Sequence, residues 1–211
     1  MIGEDEPMAI ILTSNGLCSK AIIEKYSELF NTGFRKVAIV VTADPEYREK
    51  DLKAISTKNE FENIGFDTVF FDIEFTSPSL LLEYDIVFFI GGNPFYLLNQ
   101  IRKTHTDSIL YELISKGKVI SGSSAGSIVL GETIALIKEF DPQMNNGIGL
   151  TNFTGVNLTN INLCPHYSKF ISRYNKFEER IRHVEKTFNV DVTRINDGEA
   201  IIIEDGQIIK I

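Results

Sequence analysis

The feature that most constrains the fold is a regular alternation of unbroken apolar runs with amphipathic stretches. The apolar runs are Met8–Ser14, Lys36–Asp44, Asp67–Ile73, Tyr84–Gly92 and Lys118–Ser123. Helical patterns follow them at Ser19–Phe30, Glu46–Asn63 and Phe95–Lys116, and a last helix starts near Ala125. Because these strands are apolar throughout, they are typical of parallel strands covered on both faces. The sequence predicts an α/β fold with a mostly parallel, doubly wound sheet flanked by helices.

The second half of the chain shows a looser pattern. A loop-rich stretch over 140–155 precedes a strand-like segment at Asn157–Tyr167 and an amphipathic helix at Arg173–Phe188. The pair Asp205-Gly206 lies between two apolar runs and predicts a C-terminal β-hairpin. The sequence contains neither an internal repeat nor a linker, so residues 1–211 are predicted to form one domain. Residues 1–7 are predicted to be a flexible acidic tail.

Composition excludes several classes of partner. The chain has 211 residues, 43% hydrophobic and 24% charged, with a formal charge of −8. An acidic protein lacks the basic face that nucleic acid or anionic lipid would require, and no apolar run is long enough to cross a membrane. The two cysteines do not suggest a disulfide framework. We therefore expect a soluble, cytoplasmic protein with no nucleic-acid or membrane partner.

The stretch Gly122–Gly126 (GSSAG) fits the G-x-S-x-G pattern of a serine held at a sharp strand-to-helix turn. In such a turn Ser124 Oγ would project outward, and the amide of Ala125 at the helix N-terminus could stabilise an oxyanion. Small residues at such a turn are also common for structural reasons. A phosphate-binding loop is disfavoured because no lysine follows until Lys138, and GIGLTN lacks the third glycine of a dinucleotide fingerprint.

A hydrolytic serine requires a general base, and the chain has three histidines. His105 and His183 lie in charged helical stretches that suggest surface positions. His166 follows an apolar segment and Pro165, which suits a site, although a hydrogen-bonded loop histidine fits equally well. Asp197 could orient the imidazole, but Asp-Gly pairs are also ordinary turns. No histidines or cysteines share the spacing of metal ligands.

Four motifs together resemble the serine peptidase family of aspartyl dipeptidase (peptidase E) and cyanophycinase. They are FIGGNPFYLL (Phe89–Leu98), GSSAG, PHY (Pro165–Tyr167) and NDGEAI (Asn196–Ile201). The resemblance implies a fold like that of class I glutamine amidotransferases, which is flavodoxin-like. It also implies hydrolysis of small peptides without a cofactor or a metal, and it is compatible with a homodimer.

The resemblance further implies a role for individual residues. Ser124 would be the nucleophile, His166 the base and Asp197 the third member, with Glu199 as the alternative acid. The amides of Gly92 and Ala125 would form an oxyanion hole, and Asn93 would line the substrate pocket. The arginine with which aspartyl dipeptidase pairs a substrate aspartate is replaced here by Phe177 or Glu178, with Arg173 and Arg180 nearby. The preferred first residue of the substrate is therefore left open.

Two other functions remain compatible with the sequence. An esterase of the α/β-hydrolase type also uses G-x-S-x-G, but its members follow the order serine, acid, histidine, whereas His166 precedes Asp197 here. A non-catalytic binding protein on the same scaffold is the second alternative.

Overall fold

The computed structural model describes residues 9–211, so Met8 and the predicted tail over residues 1–7 lie outside the described part. Within residues 9–211 the chain forms nine strands: β1 (Ala9–Thr13), β2 (Lys36–Val40), β3 (Asp67–Phe71), β4 (Ile86–Phe89), β5 (Val119–Ser123), β6 (Asn162–Cys164), β7 (Val192–Arg194), β8 (Ala200–Glu204) and β9 (Gln207–Lys210). The helices of the same part are α1 (Lys20–Asn31), α2 (Leu52–Ile64), α3 (Pro94–Lys103), α4 (Thr106–Ser115), α5 (Ala125–Leu130), α6 (Ala135–Phe140), α7 (Tyr167–Arg173) and α8 (Phe177–Phe188). No described helix is long and apolar enough to cross a membrane.

Seven of these strands form one sheet in the order β3-β2-β4-β5-β1-β8-β9. The first five positions are parallel, whereas β8 runs antiparallel to β1 and β9 antiparallel to β8. This arrangement confirms the predicted α/β class and the C-terminal hairpin. The remaining strands, β6 and β7, pair in parallel as a separate two-stranded sheet.

Helices cover both faces of the large sheet, which explains why its strands are apolar throughout. On one face, Ile11 and Phe88 pack in a cluster with Tyr26 of α1 and Phe61 of α2. On the other face, residues of β1, β4 and β5 pack against α3, α4 and α5. The two faces of β1 thus belong to different clusters, because consecutive side chains of a strand point in opposite directions.

A third, smaller cluster joins α6 and α8 to the two-stranded sheet. Phe177 and Ile181 of α8 pack there with Phe140 of α6, and the rings of Phe140 and Phe177 lie 4.6 Å apart. The predicted apolar stripe of this helix is only partly buried, since Phe188 remains 44% exposed. This cluster supports the turn that follows β6.

Several element boundaries differ from those predicted. The expected helix over Phe95–Lys116 is two helices, because His105 adopts a left-handed conformation with φ of 55°. The helix expected from Glu46 begins at Leu52, where the Asp51 side chain accepts from the amides of residues 53 and 54. The strand expected over Asn157–Tyr167 is reduced to β6.

The topology brings the ends of several strands together at one edge of the sheet. The carboxyl ends of β1, β4 and β5 lie side by side there, with Thr13 paired to Ser123. Because β8 is antiparallel, its beginning lies at the same edge, and Ala200 pairs with Thr13. Residues just before β8 are thereby brought next to residues just after β5.

Candidate active site

Ser124 occupies the sharp turn between β5 and α5. Its backbone has φ of 50° and ψ of −113°, a conformation that non-glycine residues rarely adopt. The flanking glycines allow this turn through close approach. A Cβ on Gly122 would lie 2.5 Å from the backbone of Gly126, and a Cβ on Gly126 would collide with the carbonyl of Phe89. The two glycines of G-x-S-x-G are therefore required by packing, and Ser124 is half-buried at the sheet edge.

His166 lies beside Ser124, with its Nε2 3.1 Å from Ser124 Oγ. The histidine follows β6 and Pro165 and precedes α7, and it adopts a left-handed conformation with φ of 55°. The Nδ1 atom of the same ring lies 2.5 Å from Asp197 Oδ1. The structure thus brings Ser124, His166 and Asp197 into one continuous chain of contacts, although Ser124 and Asp197 are 73 positions apart in the sequence.

Asp197 lies in the turn before β8, and three neighbours hold it. His166 contacts Oδ1, Ser14 Oγ donates to Oδ1 at 2.9 Å, and Lys169 Nζ donates to Oδ2. Burial alone would raise the pKa of Asp197, but the hydrogen bonds from Lys169, His166 and Ser14 outweigh it and lower the pKa below its ordinary value. The carboxylate is therefore ionised near neutral pH and can stabilise a protonated imidazole.

The side chain of Glu199, the alternative acid, has partners other than His166. Its Oε2 accepts from the amide of Asn196 at 2.6 Å and lies 2.9 Å from Lys210 Nζ. Burial acts to raise the pKa of Glu199, and these partners lower it on balance. Glu199 thus anchors the turn that carries Asp197, and it does not contact His166.

Ser14 is the residue of this site that the sequence did not reveal. It directly follows β1 and is fully buried, and its hydroxyl accepts from the amide of His166 at 2.8 Å while donating to Asp197. One hydroxyl therefore fixes both the backbone of the histidine and the carboxylate. The signal that could have identified Ser14 was its position, since α/β proteins place functional groups just after the carboxyl ends of buried strands.

Backbone amides near Ser124 could stabilise a developing oxyanion. A Cβ built on Gly91 would lie 3.7 Å from Ser124 Oγ, so the loop after β4 runs directly beside the Ser124 side chain. Ala125 is the first residue of α5, and first-turn amides have no acceptor within their own helix. The amide of Ser124 itself donates to the carbonyl of Thr13 at 3.2 Å. Gly92 and Ala125 are therefore the better candidates.

The side chain of Asn93 forms hydrogen bonds within the protein. Its Oδ1 accepts from the amides of Phe95 and Tyr96, which caps α3, and its Nδ2 donates to the carbonyl of Met144 at 2.7 Å. Pro94 is the first residue of this helix, where a missing amide hydrogen is tolerated. The asparagine thus shapes the loop that holds Gly92 and ties it to the segment around Met144.

The remaining histidines lie away from this constellation. His105 is exposed at the start of α4, and His183 is exposed on α8. Between residues 9 and 211 no three histidine, cysteine, aspartate or glutamate side chains are grouped closely enough to hold a metal ion. The chemistry available at the sheet edge is therefore that of a hydroxyl, an imidazole, a carboxylate and backbone amides.

Comparison with known proteins identifies the chain. Residues 10–211 match the model of peptidase family S51. The chain belongs to peptidase family S51. Peptidases are hydrolases, and the match spans the elements that carry Ser124, His166 and Asp197.

Relatives of this S51 chain are found in several bacteria. An uncharacterised peptidase of Listeria innocua is 29% identical over 156 residues, covering 72% of this chain and 73% of the relative. A peptidase E of Nostoc sp. is 26% identical, covering 86% of this chain and 72% of the relative. A crystal structure from Listeria monocytogenes, described as a candidate peptidase E, aligns with a TM-score of 0.76 at 26% identity, covering 97% of this chain and 98% of that one.

The residues that the sequence resemblance suggested in place of a substrate-binding arginine have structural partners in this S51 chain. Phe177 is buried in the third cluster, and Glu178 pairs with Arg194 at 3.2 Å. Arg180 is held by Glu139 at 2.8 Å and lies over the ring of Phe140. Phe177, Glu178 and Arg180 therefore offer no unpaired cation to a substrate. Arg173, the other arginine nearby, is exposed, and its guanidinium lies 5.1 Å from the centroid of the Tyr174 ring.

Proposed function

We propose that the protein is a serine peptidase that hydrolyses short peptides through Ser124, His166 and Asp197. The observation that carries this proposal is the continuous contact chain from Ser124 Oγ through both ring nitrogens of His166 to Asp197 Oδ1. A serine hydroxyl is a weak nucleophile unless a base removes its proton in the transition state. Membership of family S51 supports a peptide bond as the target.

In the proposed mechanism, Ser124 Oγ attacks the peptide carbonyl while its proton passes to His166 Nε2. The Nδ1–H of the ring donates to Asp197, whose negative charge stabilises the imidazolium. The amides of Gly92 and Ala125 stabilise the oxyanion. The tetrahedral intermediate expels the amine, which takes the proton from Nε2, and an acyl-enzyme ester remains. Water then attacks this ester by the same route and releases the acid.

The mechanism is tested with paired variants at serine and histidine positions. We expect Ser124→Ala and His166→Gln to lower kcat on a panel of dipeptides by roughly a thousandfold or more. Ser127→Ala and His105→Gln are the matched controls, since Ser127 Oγ donates to the Thr13 carbonyl and His105 is exposed on another surface. Turnover that persists in Ser124→Ala would rule the mechanism out.

Two further measurements separate the proposal from its alternatives. A fluorophosphonate probe should label Ser124 in the folded protein and leave Ser124→Ala unlabelled. A protein with no label and no dipeptide turnover would be a binding protein instead. Faster turnover of simple esters than of any dipeptide would favour an esterase.

A further inference from the structure

Lys169 is a charged neighbour of the site to which the serine mechanism gives no role. It lies on the first turn of α7, and its ammonium contacts Oδ2 of Asp197. His166, three residues earlier, contacts Oδ1 of the same carboxylate through Nδ1. The Lys169 amide donates to the His166 carbonyl at 3.0 Å, so both residues belong to one turn of the chain. This single turn supplies a partner to each oxygen of the carboxylate, and the imidazole shares the negative charge with an ammonium.

The position of Lys169 is fixed by the way in which α7 packs on the turn before β8. The amide of Tyr167 donates to the carbonyl of Ile195 at 3.1 Å. The amide of Ser168 donates to Asn196 Oδ1 at 3.0 Å. Neither contact involves the lysine side chain, so replacing that side chain removes a charge while the helix stays attached to the turn.

The other titratable groups around Asp197 do not replace this ammonium. Burial raises the pKa of the Cys18 thiol, and the negative charge of Asp197 raises it further, so the thiol is uncharged near neutral pH. Glu199, two residues further along the chain, is paired with Lys210 of β9 at 2.9 Å. Within the described residues, the ion pairs of Asp197 are those with the imidazole and with Lys169. Lys169 is therefore the cation that competes with the imidazole for this carboxylate.

This competition affects the pH range in which His166 can act as a base. A neighbouring anion favours the protonated form of an imidazole, and a cation on the same anion offsets part of that effect. A general base must be unprotonated to accept the proton of Ser124. We propose that Lys169 is a positioning residue that weakens the attraction of Asp197 for the imidazolium and thereby extends hydrolysis to lower pH. This role rests on the proposed peptidase function.

The proposal is tested by proton NMR of the imidazole Cε1–H signals during a pH titration, which needs no turnover. The chain has three histidines, and loss of one signal in His166→Gln assigns that residue. We expect Lys169→Met to raise the titration midpoint of His166 by about 0.5 pH units, a small shift because the Lys169 side chain is 67% exposed and the ion pair is screened. Lys169→Arg keeps the charge and should leave the midpoint unchanged.

Two further measurements separate a charge effect from a packing effect. At 1 M salt, where charges are screened within about 3 Å, the midpoints of wild type and Lys169→Met should converge. The acid limb of the kcat/KM profile on a cleaved dipeptide should move to higher pH in Lys169→Met by the same amount as the midpoint, with the plateau near neutral pH retained.

Lys176→Met is the matched control. Lys176 is also 67% exposed, and its ion pair with Glu179 at 3.2 Å lies at the start of α8. An equal shift of the midpoint in Lys176→Met and Lys169→Met would overturn the proposal, as would a midpoint that Lys169→Met leaves unchanged at low salt. Failure of the serine mechanism is seen separately, as turnover that survives Ser124→Ala, because the NMR titration does not depend on turnover.

Discussion

At the scale of single residues, Ser14 links two parts of the site through one hydroxyl. It holds the His166 amide and Asp197 Oδ1 together, so that the imidazole and the carboxylate are oriented by the same atom. We expect Ser14→Ala to lower kcat by about tenfold to a hundredfold with little change in KM, because a misplaced base acts only on the chemical step. Steady-state kinetics on a cleaved dipeptide measures both constants.

A second variant separates this positioning role from a packing defect. Ser14→Thr keeps the hydroxyl and should retain much more of the kcat than Ser14→Ala. Equal losses in the two variants would show that the hydroxyl is irrelevant. Circular dichroism and urea unfolding would verify that both remain folded.

The residues of the site differ in how far the sequence revealed them. Ser124, His166 and Asp197 each stand in a motif that alone also fits an ordinary turn or loop, and only the motifs together drew attention to them. Ser14 stands in no motif, and its partners are 152 and 183 residues away in the chain. A serine at the end of a buried strand looks like any other polar residue in that position. The contacts of Ser14 with His166 and Asp197 could therefore be found only once the order of the strands in the sheet was known.

At the scale of elements, the close contact between α5 and the sheet determines where Ser124 stands. Gly126 faces the carbonyl of Phe89 with no room for a side chain. We expect Gly126→Ala to lower the free energy of unfolding by roughly 1–3 kcal/mol through overpacking, and to lower kcat because α5 must move away. Urea denaturation together with kinetics would measure both effects.

Gly147→Ala is the control for this element. Gly147 has φ of +79° with no atom within 4 Å of an added Cβ, so alanine there pays only the left-handed backbone cost of roughly 1–2 kcal/mol. It should leave kcat unchanged. Identical effects of the two variants on kcat would contradict the assigned role of the contact.

Helices and strands were predictable where a continuous pattern exists. The parallel strands followed from unbroken apolar runs, and the helical pattern that begins at Ser19 became α1, with the Ser19 side chain accepting from the amide of Ile22. The break at His105 was not predictable, because a histidine in a left-handed conformation carries none of the sequence signal that glycine would. The short helix α6 was not predicted, because six residues are too few to show a helical period.

At the scale of the whole molecule, the ionisation of Asp197 makes the free energy of unfolding depend on pH in the acid range. Its folded-state pKa is below the ordinary value of about 3.9. The unfolded chain therefore binds the proton more readily, and the stabilisation is present above pH of about 4 and is lost as the pH falls through the folded-state pKa. We expect Asp197→Asn to unfold more easily than wild type at pH 6, with a difference that shrinks towards pH 2.

Urea unfolding at several pH values would test this coupling. Asp205→Asn, in the exposed turn between β8 and β9, is the control and should follow the wild-type curve. A constant difference between wild type and Asp197→Asn from pH 6 to pH 2 would contradict the coupling.

The order in which distant strands pair within the sheet was the hardest feature to predict from the sequence. The Asp-Gly turn predicted the terminal hairpin, but nothing local to it specifies that β8 pairs with β1, about 190 residues earlier. β1 is the strand at the edge of the parallel part of the sheet, and that position is a property of the whole topology.

The antiparallel pairing of β8 with β1 also sets when the site can first exist. During synthesis Ser14, Ser124 and His166 leave the ribosome before Asp197, which arrives with the last strands of the described chain. A nascent chain that has already formed its parallel strands still lacks the carboxylate that orients the imidazole. Because of this order of the elements, the contact chain of Ser124, His166 and Asp197 can close only after residue 197 has been synthesised.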